Sequence, residues 1–180
     1  TVKFSPLTGC QSVRVALDRA SDLIAPAPPG SEAERWDAQA RRALAVLMHA
    51  AALGGRSMRD VLTWTADPVG AEKTIMRMLG ESPEAATMRE FARQFIGTNE
   101  RTRTSITSSV MPALGWLMDS HAAGVADVSD GGVFDVDEFL ELSGTLYLLG
   151  AEDGVTAPLV GTLTAEIARS ARTIASMQPA

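Results

Sequence analysis

The stretch Phe134-Asp-Val-Asp-Glu-Phe-Leu-Glu-Leu-Ser-Gly-Thr-Leu-Tyr-Leu-Leu-Gly150 decides how the chain is read. Asp135 and Glu138 have the spacing of a capping box, in which two side chains satisfy backbone N–H groups that a starting helix leaves open. The helix they open is barely two turns long, because Ser143-Gly144 interrupts it. Residues 145–149 then give β-branched, aromatic and apolar side chains without polar alternation. Such a run predicts a strand buried on both faces, as in a parallel sheet. A loop and an apolar helix at Pro158 follow. This is the order of elements in an α/β nucleotide-binding sheet. One strand makes no sheet, so either residues 1–5 pair with it or its neighbours belong to a larger protein.

Residues 12–123 read instead as helix. Val13, Ala16, Leu17, Ala20 and Leu23 or Ile24 recur at helical spacing, and APAPPG at 25–30 stops the helix. Ser31 with Glu34 predicts a capping box for a long helix that puts Trp36, Ala40, Ala43, Leu44, Leu47, Met48 and Ala51 on one face. Gly54-Gly55 ends it, and Ser57 with Asp60 opens the next. Asp67-Pro68 and Ser82-Pro83 mark further starts, since proline at the first helical position loses no hydrogen bond. Thr98 is expected to cap a helix running to about Ser120, kinked or broken at Pro112. The expected core includes Trp36, Leu44, Leu47, Phe91, Phe95, Leu114 and Leu117.

The predicted fold is therefore mainly α, a multi-helix bundle with one or two short flanking β-strands. Three stretches are expected: 1–9, a strand or linker remnant; 10–125, the helical domain; and 126–180, an acidic loop, short helix, buried strand and C-terminal helix. A helical body beside a stray strand suggests an insertion into a larger α/β protein.

The chain of 180 residues carries a formal net charge of −6, but unevenly. No Lys or Arg lies between Arg103 and Arg169, where ten acidic residues fall; the remainder carries +4. The helical part is mildly basic and the C-terminal third acidic. No run of about 18 apolar residues predicts a membrane span, and no leader is expected. The single Cys10 excludes an internal disulfide and fits a reducing, cytoplasmic setting.

Candidate chemistry is sparse. In the loop 127–138, Asp127, Ser129, Asp135 and Glu138 fall at the first, third, ninth and twelfth places of an EF-hand, with Gly132 at the sixth. The fifth place is Gly131, which offers no side-chain oxygen, so an acidic surface loop is the expected reading and no metal is assigned. His49 and His121 lack Cys or His partners at ligand spacing. His49 is expected as a polar residue at the rim of the core. No Gly-x-Ser-x-Gly elbow supports a nucleophilic triad. No Gly-x-x-x-x-Gly-Lys-Ser/Thr loop and no apolar strand ending in Asp-Glu is present, so neither a catalytic residue nor a nucleotide cofactor is expected. Arg101 and Arg103 stand out, because they sit in the first turn of a helix, where its dipole disfavours cations. Phosphate contact, a pairing with Glu100 or Glu90, and simple solvation are the readings open to them.

Four segments, in order, resemble the TraG/TraD-type coupling ATPases of conjugative type IV secretion. They are Phe4-Ser-Pro-Leu-Thr-Gly-Cys10, Ala50-Ala-Ala-Leu-Gly-Gly-Arg-Ser-Met-Arg-Asp-Val-Leu62, Glu100-Arg-Thr-Arg-Thr104, and Phe134-Asp-Val-Asp-Glu-Phe-Leu140 with Gly144-Thr-Leu-Tyr-Leu-Leu149. The resemblance implies a place between the Walker A and Walker B segments of a RecA-like motor, in the insertion called the all-alpha domain. Family members form membrane-anchored hexamers that couple ATP hydrolysis to export of relaxase-bound DNA or protein. The implied role is recognition of a relaxase, relaxosome or secreted protein substrate, without enzymatic activity in this part, and with at most weak non-specific DNA contact. Arg101 and Arg103 match the family's Glu-Arg-Thr-Arg run. The alternative is a standalone helical adaptor with a protein partner; a hydrolase with an unrecognised site is a third.

Overall fold

A computed structural model describes residues 2–26, 29–31, 34–128, 131–142, 144–148 and 154–177. Among these the regular elements are α-helices: α1 (Val13–Leu23), α2 (Glu34–Leu53), α3 (Met58–Ala66), α4 (Pro68–Met78), α5 (Ala85–Gly97), α6 (Glu100–Leu114), α7 (Ser120–Val125), α8 (Val136–Glu141) and α9 (Ala157–Met177).

α2 is the axle. It packs against α1, α3, α4, α5 and α6. Every residue from Ala43 to Ala51 is buried, so this helix is apolar or enclosed all round at its middle, as a helix surrounded by others must be. Four of the nine are alanine, which lets neighbouring backbones approach closely. Its start uses Ser31, whose hydroxyl accepts from the Glu34 N–H at 3.2 Å, while the Glu34 carboxylate reaches back to the Gly30 N–H at 2.6 Å. α3 carries the full reciprocal box between Ser57 and Asp60. α4 begins on Asp67 with proline at its first position.

The long helix expected from Thr98 to Ser120 differs in two ways. Its cap is Asn99, whose side chain accepts from the Thr102 N–H at 3.0 Å. It also ends at Leu114. Pro112 lacks the N–H that would continue the ladder, and the fully buried Trp116 takes the Ala113 carbonyl with its indole N–H at 2.9 Å. The chain tightens into a 3-10 turn over Gly115–Met118 and restarts as α7 on Asp119.

Of the expected core, Leu44, Leu47, Phe95, Leu114 and Leu117 are buried. Trp36 and Phe91 are only half-buried. The Arg42 guanidinium lies over the Phe91 ring, 5.0 Å from its centre.

The predicted buried strand needs correction. Residues 144–148 take no regular secondary structure and form no ladder, and Leu149 lies outside the described residues. Tyr147 is 83% exposed. A strand covered on both faces needs neighbours, and the described residues supply none. Nor do residues 2–5 pair with it: Lys3 instead forms an isolated parallel bridge with Val133. The Phe134 N–H donates to the Lys3 carbonyl at 2.8 Å, and the Phe4 N–H to the Val125 carbonyl at 3.0 Å. The chain thus leaves the helical body beside the point where it entered. Phe4 and Leu7 at one end and Leu159 and Leu163 at the other join the same apolar core as α2. No helix of the described residues is long and apolar enough to cross a membrane.

Candidate functional site

The start of α6 resolves the placement of its two arginines. Arg103 Nη1 donates to the carbonyls of Ile96 at 2.9 Å and Thr98 at 2.7 Å. Those carbonyls end α5, where four acceptors go unmatched and the dipole is negative. A cation that is misplaced for its own helix is well placed for the preceding one. Arg103 is half-buried and its donors face this end. Arg101 is different. It is exposed, and its side chain makes no hydrogen bond or ion pair among the described residues. The Glu90 carboxylate is engaged by Arg93 and Gln94 on its own helix, at 3.5 Å each. The Glu-Arg-Thr-Arg run therefore divides into one fold-holding and one free arginine.

His49 does not sit at the rim. It is fully buried at the middle of α2. Its Nδ1 lies 2.8 Å from the Cys10 carbonyl, which can only accept, so Nδ1 carries the proton. Nε2 then accepts from the Ser82 hydroxyl, also at 2.8 Å. The Ser82 proton goes there in preference to Glu84 Oε2 at 3.4 Å, and Ser82 Oγ in turn accepts the Glu84 N–H at 3.2 Å. A serine hydroxyl on the bare Nε2 of an imidazole has the form of a nucleophile and base. Ser82 is only 7% exposed, however, and neither residue lines the cavities described below. The arrangement ties the N-terminal turn, α2 and the start of α5 together. Cys10 is buried beside it, and burial pushes its thiol up to about 12, against the pull of Arg19.

A second polar cluster joins elements far apart in sequence. Arg19 of α1, with 1% of its surface exposed, reaches Glu166 of α9 at 3.1 Å and stacks on Phe4 at 5.3 Å. Asp22 of α1 receives Arg169 of α9. Sequence reading missed both pairs. The available signal was Arg19 itself, a cation on the otherwise apolar Ala16–Ala20–Leu23 face.

Two surface hollows lie away from these clusters. An apolar groove of about 710 Å³ is lined by Phe4, Val125, Leu146, Leu148, Leu159 and Leu163, with Asp119 and His121 among its polar residues. A cleft of about 480 Å³ lies at the start of α3, with Arg56, Arg59 and Asp127 on it. In the acidic loop, Asp135 accepts the Glu138 N–H at 3.0 Å as the cap of α8, which gives the carboxylate a structural duty. Ser129 lies outside the described residues, and among those described no group of three or more His, Cys, Asp or Glu is placed to hold a metal ion.

What this arrangement offers chemically is a helical body with Arg101 unengaged in its Glu-Arg-Thr-Arg run, an apolar groove at the pole where the chain enters and leaves, and an acidic flank. The chain matches no family of known proteins, no curated protein and no solved structure.

Proposed function

We propose that this chain is the helical substrate-recognition domain of a conjugative coupling ATPase of the TraG/TraD type. It would be inserted between the phosphate-binding and metal-holding strands of a RecA-like motor, on the cytoplasmic face of the membrane. The observation that carries the reading is the return of the chain. Lys3 and Val133 run side by side in parallel, so the helical body hangs on two neighbouring crossings, as an insertion does. Supporting it is the 144–148 segment, strand-like in sequence, unladdered and with Tyr147 exposed. In the parent protein it would become a motor strand, flanked on both sides. The ordered resemblance supplies the rest.

In this reading the domain carries no chemistry of its own. Recognition falls to its helical surface, with Arg101 as the contact in the Glu-Arg-Thr-Arg run and a relaxase, relaxosome or secreted protein as partner. Two experiments test it. The flanking coding sequence should hold a Gly-x-x-x-x-Gly-Lys-Ser/Thr loop upstream and an apolar strand ending in Asp-Glu downstream; the absence of both overturns the reading. In the full-length parent, Arg101→Ala should lower substrate transfer while leaving ATP hydrolysis intact; normal transfer would remove Arg101 from the interface.

A further inference from the structure

α9 is held in two different ways along its length. Its first turns bury Leu159, Thr162 and Leu163. From residue 164 to 177 nothing is buried, and Ile167 packs only partly on the core. Charge fixes this distal stretch on α1. Arg169 grips Asp22 with both ends of its fork, at 3.1 and 2.5 Å. The same guanidinium donates to Glu166 Oε2 at 3.1 Å, and that oxygen lies 3.1 Å from Arg19 Nη1. Its hydrogen bonds to Asp22 hold the Arg169 guanidinium protonated far above its already high ordinary range. Four side chains thus alternate in sign across the α1–α9 seam.

The closed seam also carries a defect. Arg19 Nε is buried without a partner, and Nη1 meets Glu166 at ion-pair distance without the alignment of a hydrogen bond. A buried donor left unmatched disfavours the state that buries it. Packing is open on both flanks of the distal helix. A cavity of about 260 Å³ lies beside Arg19, Phe134 and Ser170, and one of about 310 Å³ beside Arg14, Asp18 and Ile174.

We propose that residues 166–177 form a detachable arm, clasped to α1 by Asp22, Arg169, Glu166 and Arg19, which opens as a unit while the rest of the fold stays closed. The apolar anchor at Leu159 and Leu163 is the fixed end. Opening gives water to the unmatched Arg19 donors; it is opposed by loss of the ion pairs and of the packing of α9 on α8. The inference does not depend on the coupling-protein reading, since it rests on the seam alone.

Hydrogen exchange on the full chain tests it, comparing the parent with Asp22→Asn and Glu166→Gln at about 0.05 and about 1 M salt, which shortens the screening length severalfold. Each variant should speed exchange over 166–177 by at least about tenfold, the scale of losing a charge-assisted bond in a locally opening segment, while 159–163 and α2 keep their rates. High salt should act in the same direction on the parent and less on the variants. Leu47→Ala serves as a reference for global loosening, raising α2 and α9 together. If 166–177 stays within about twofold of the parent in both variants, or if α2 loosens in step with it, there is no separable arm.

Discussion

Arg103 Nη1 donates to the Thr98 carbonyl at 2.7 Å, so a cation at the start of α6 closes the end of α5. Losing it leaves two carbonyls of the α5 terminus without that donor. Arg103→Ala should therefore destabilise the chain by about 1–3 kcal/mol, as expected for a bond from a charged donor. Arg101→Ala, with no partner to lose, should stay within about 0.5 kcal/mol of the parent. Urea denaturation of the two variants side by side checks the division; equal effects would refute it.

Removing His49 breaks two buried bonds at once and leaves the Cys10 carbonyl and the Ser82 hydroxyl enclosed. His49→Ala should cost about 3 kcal/mol or more, combining a cavity with unmatched polar groups. Ser82→Ala should cost less, because the histidine keeps its bond to Cys10. A reversed order in denaturant midpoints would show that the imidazole contributes by volume alone.

Cys10 makes stability fall in alkali. Its ordinary value of 9.0 applies to the unfolded chain, while burial pushes the folded thiol up to about 12. The folded state holds the proton more tightly, so this contribution is complete below 9.0 and is lost as pH rises towards about 12. Cys10→Ala should flatten that part of the pH–stability curve. The native thiol should also resist alkylation at about pH 8 and react once urea unfolds the chain. Rapid labelling of the native protein would contradict its burial.

In the proposed reading the chain alone should give no low-micromolar binding isotherm with magnesium-ATP, since it carries neither the phosphate cradle nor the acidic strand end. Calorimetric titration decides this, and tight binding would revive an enzymatic reading.

DNA contact should be weak and sequence-independent. A region carrying only +4, beside ten carboxylates, neutralises few phosphates. Fluorescence anisotropy should give dissociation constants of roughly 10⁻⁴–10⁻⁶ M that weaken as salt rises. Nanomolar, sequence-selective binding would make the domain a DNA reader in its own right.

Helix existence was legible because it depends on local signals: the caps at Ser57 and Asp67, the proline at 68, and the apolar spacing of α2, whereas Pro83 lies two residues ahead of α5 and not at its first position. Boundaries were less so. Thr98 and Asn99 are both good caps, and only the Asn99 bond to Thr102 separates them. The break after Leu114 hung on where Trp116 found a carbonyl, which spacing does not reveal. The strand prediction at 145–149 read a preference that needs neighbours, and Tyr147 is exposed because the described residues provide none. The depth of His49 and the Asp22–Arg169 pair were out of reach, since their partners lie far off in sequence. For the Glu-Arg-Thr-Arg run, sequence found the oddity and the structure divided it.

The Lys3–Val133 bridge has a consequence for how such a body can change. Because its two ends are fastened side by side and point the same way, α1–α7 together amount to one oversized crossover. Lengthening a connection of this kind is entropically cheap, with each doubling costing only about 0.6 kcal/mol. Helices can be added to it, trimmed from it or exchanged wholesale while the two fastened crossings stay where they are. In the proposed reading the body is a replaceable cartridge, and a chimera that swaps it at Lys3 and Val133 while keeping the α1–α9 contacts should leave the host scaffold folded.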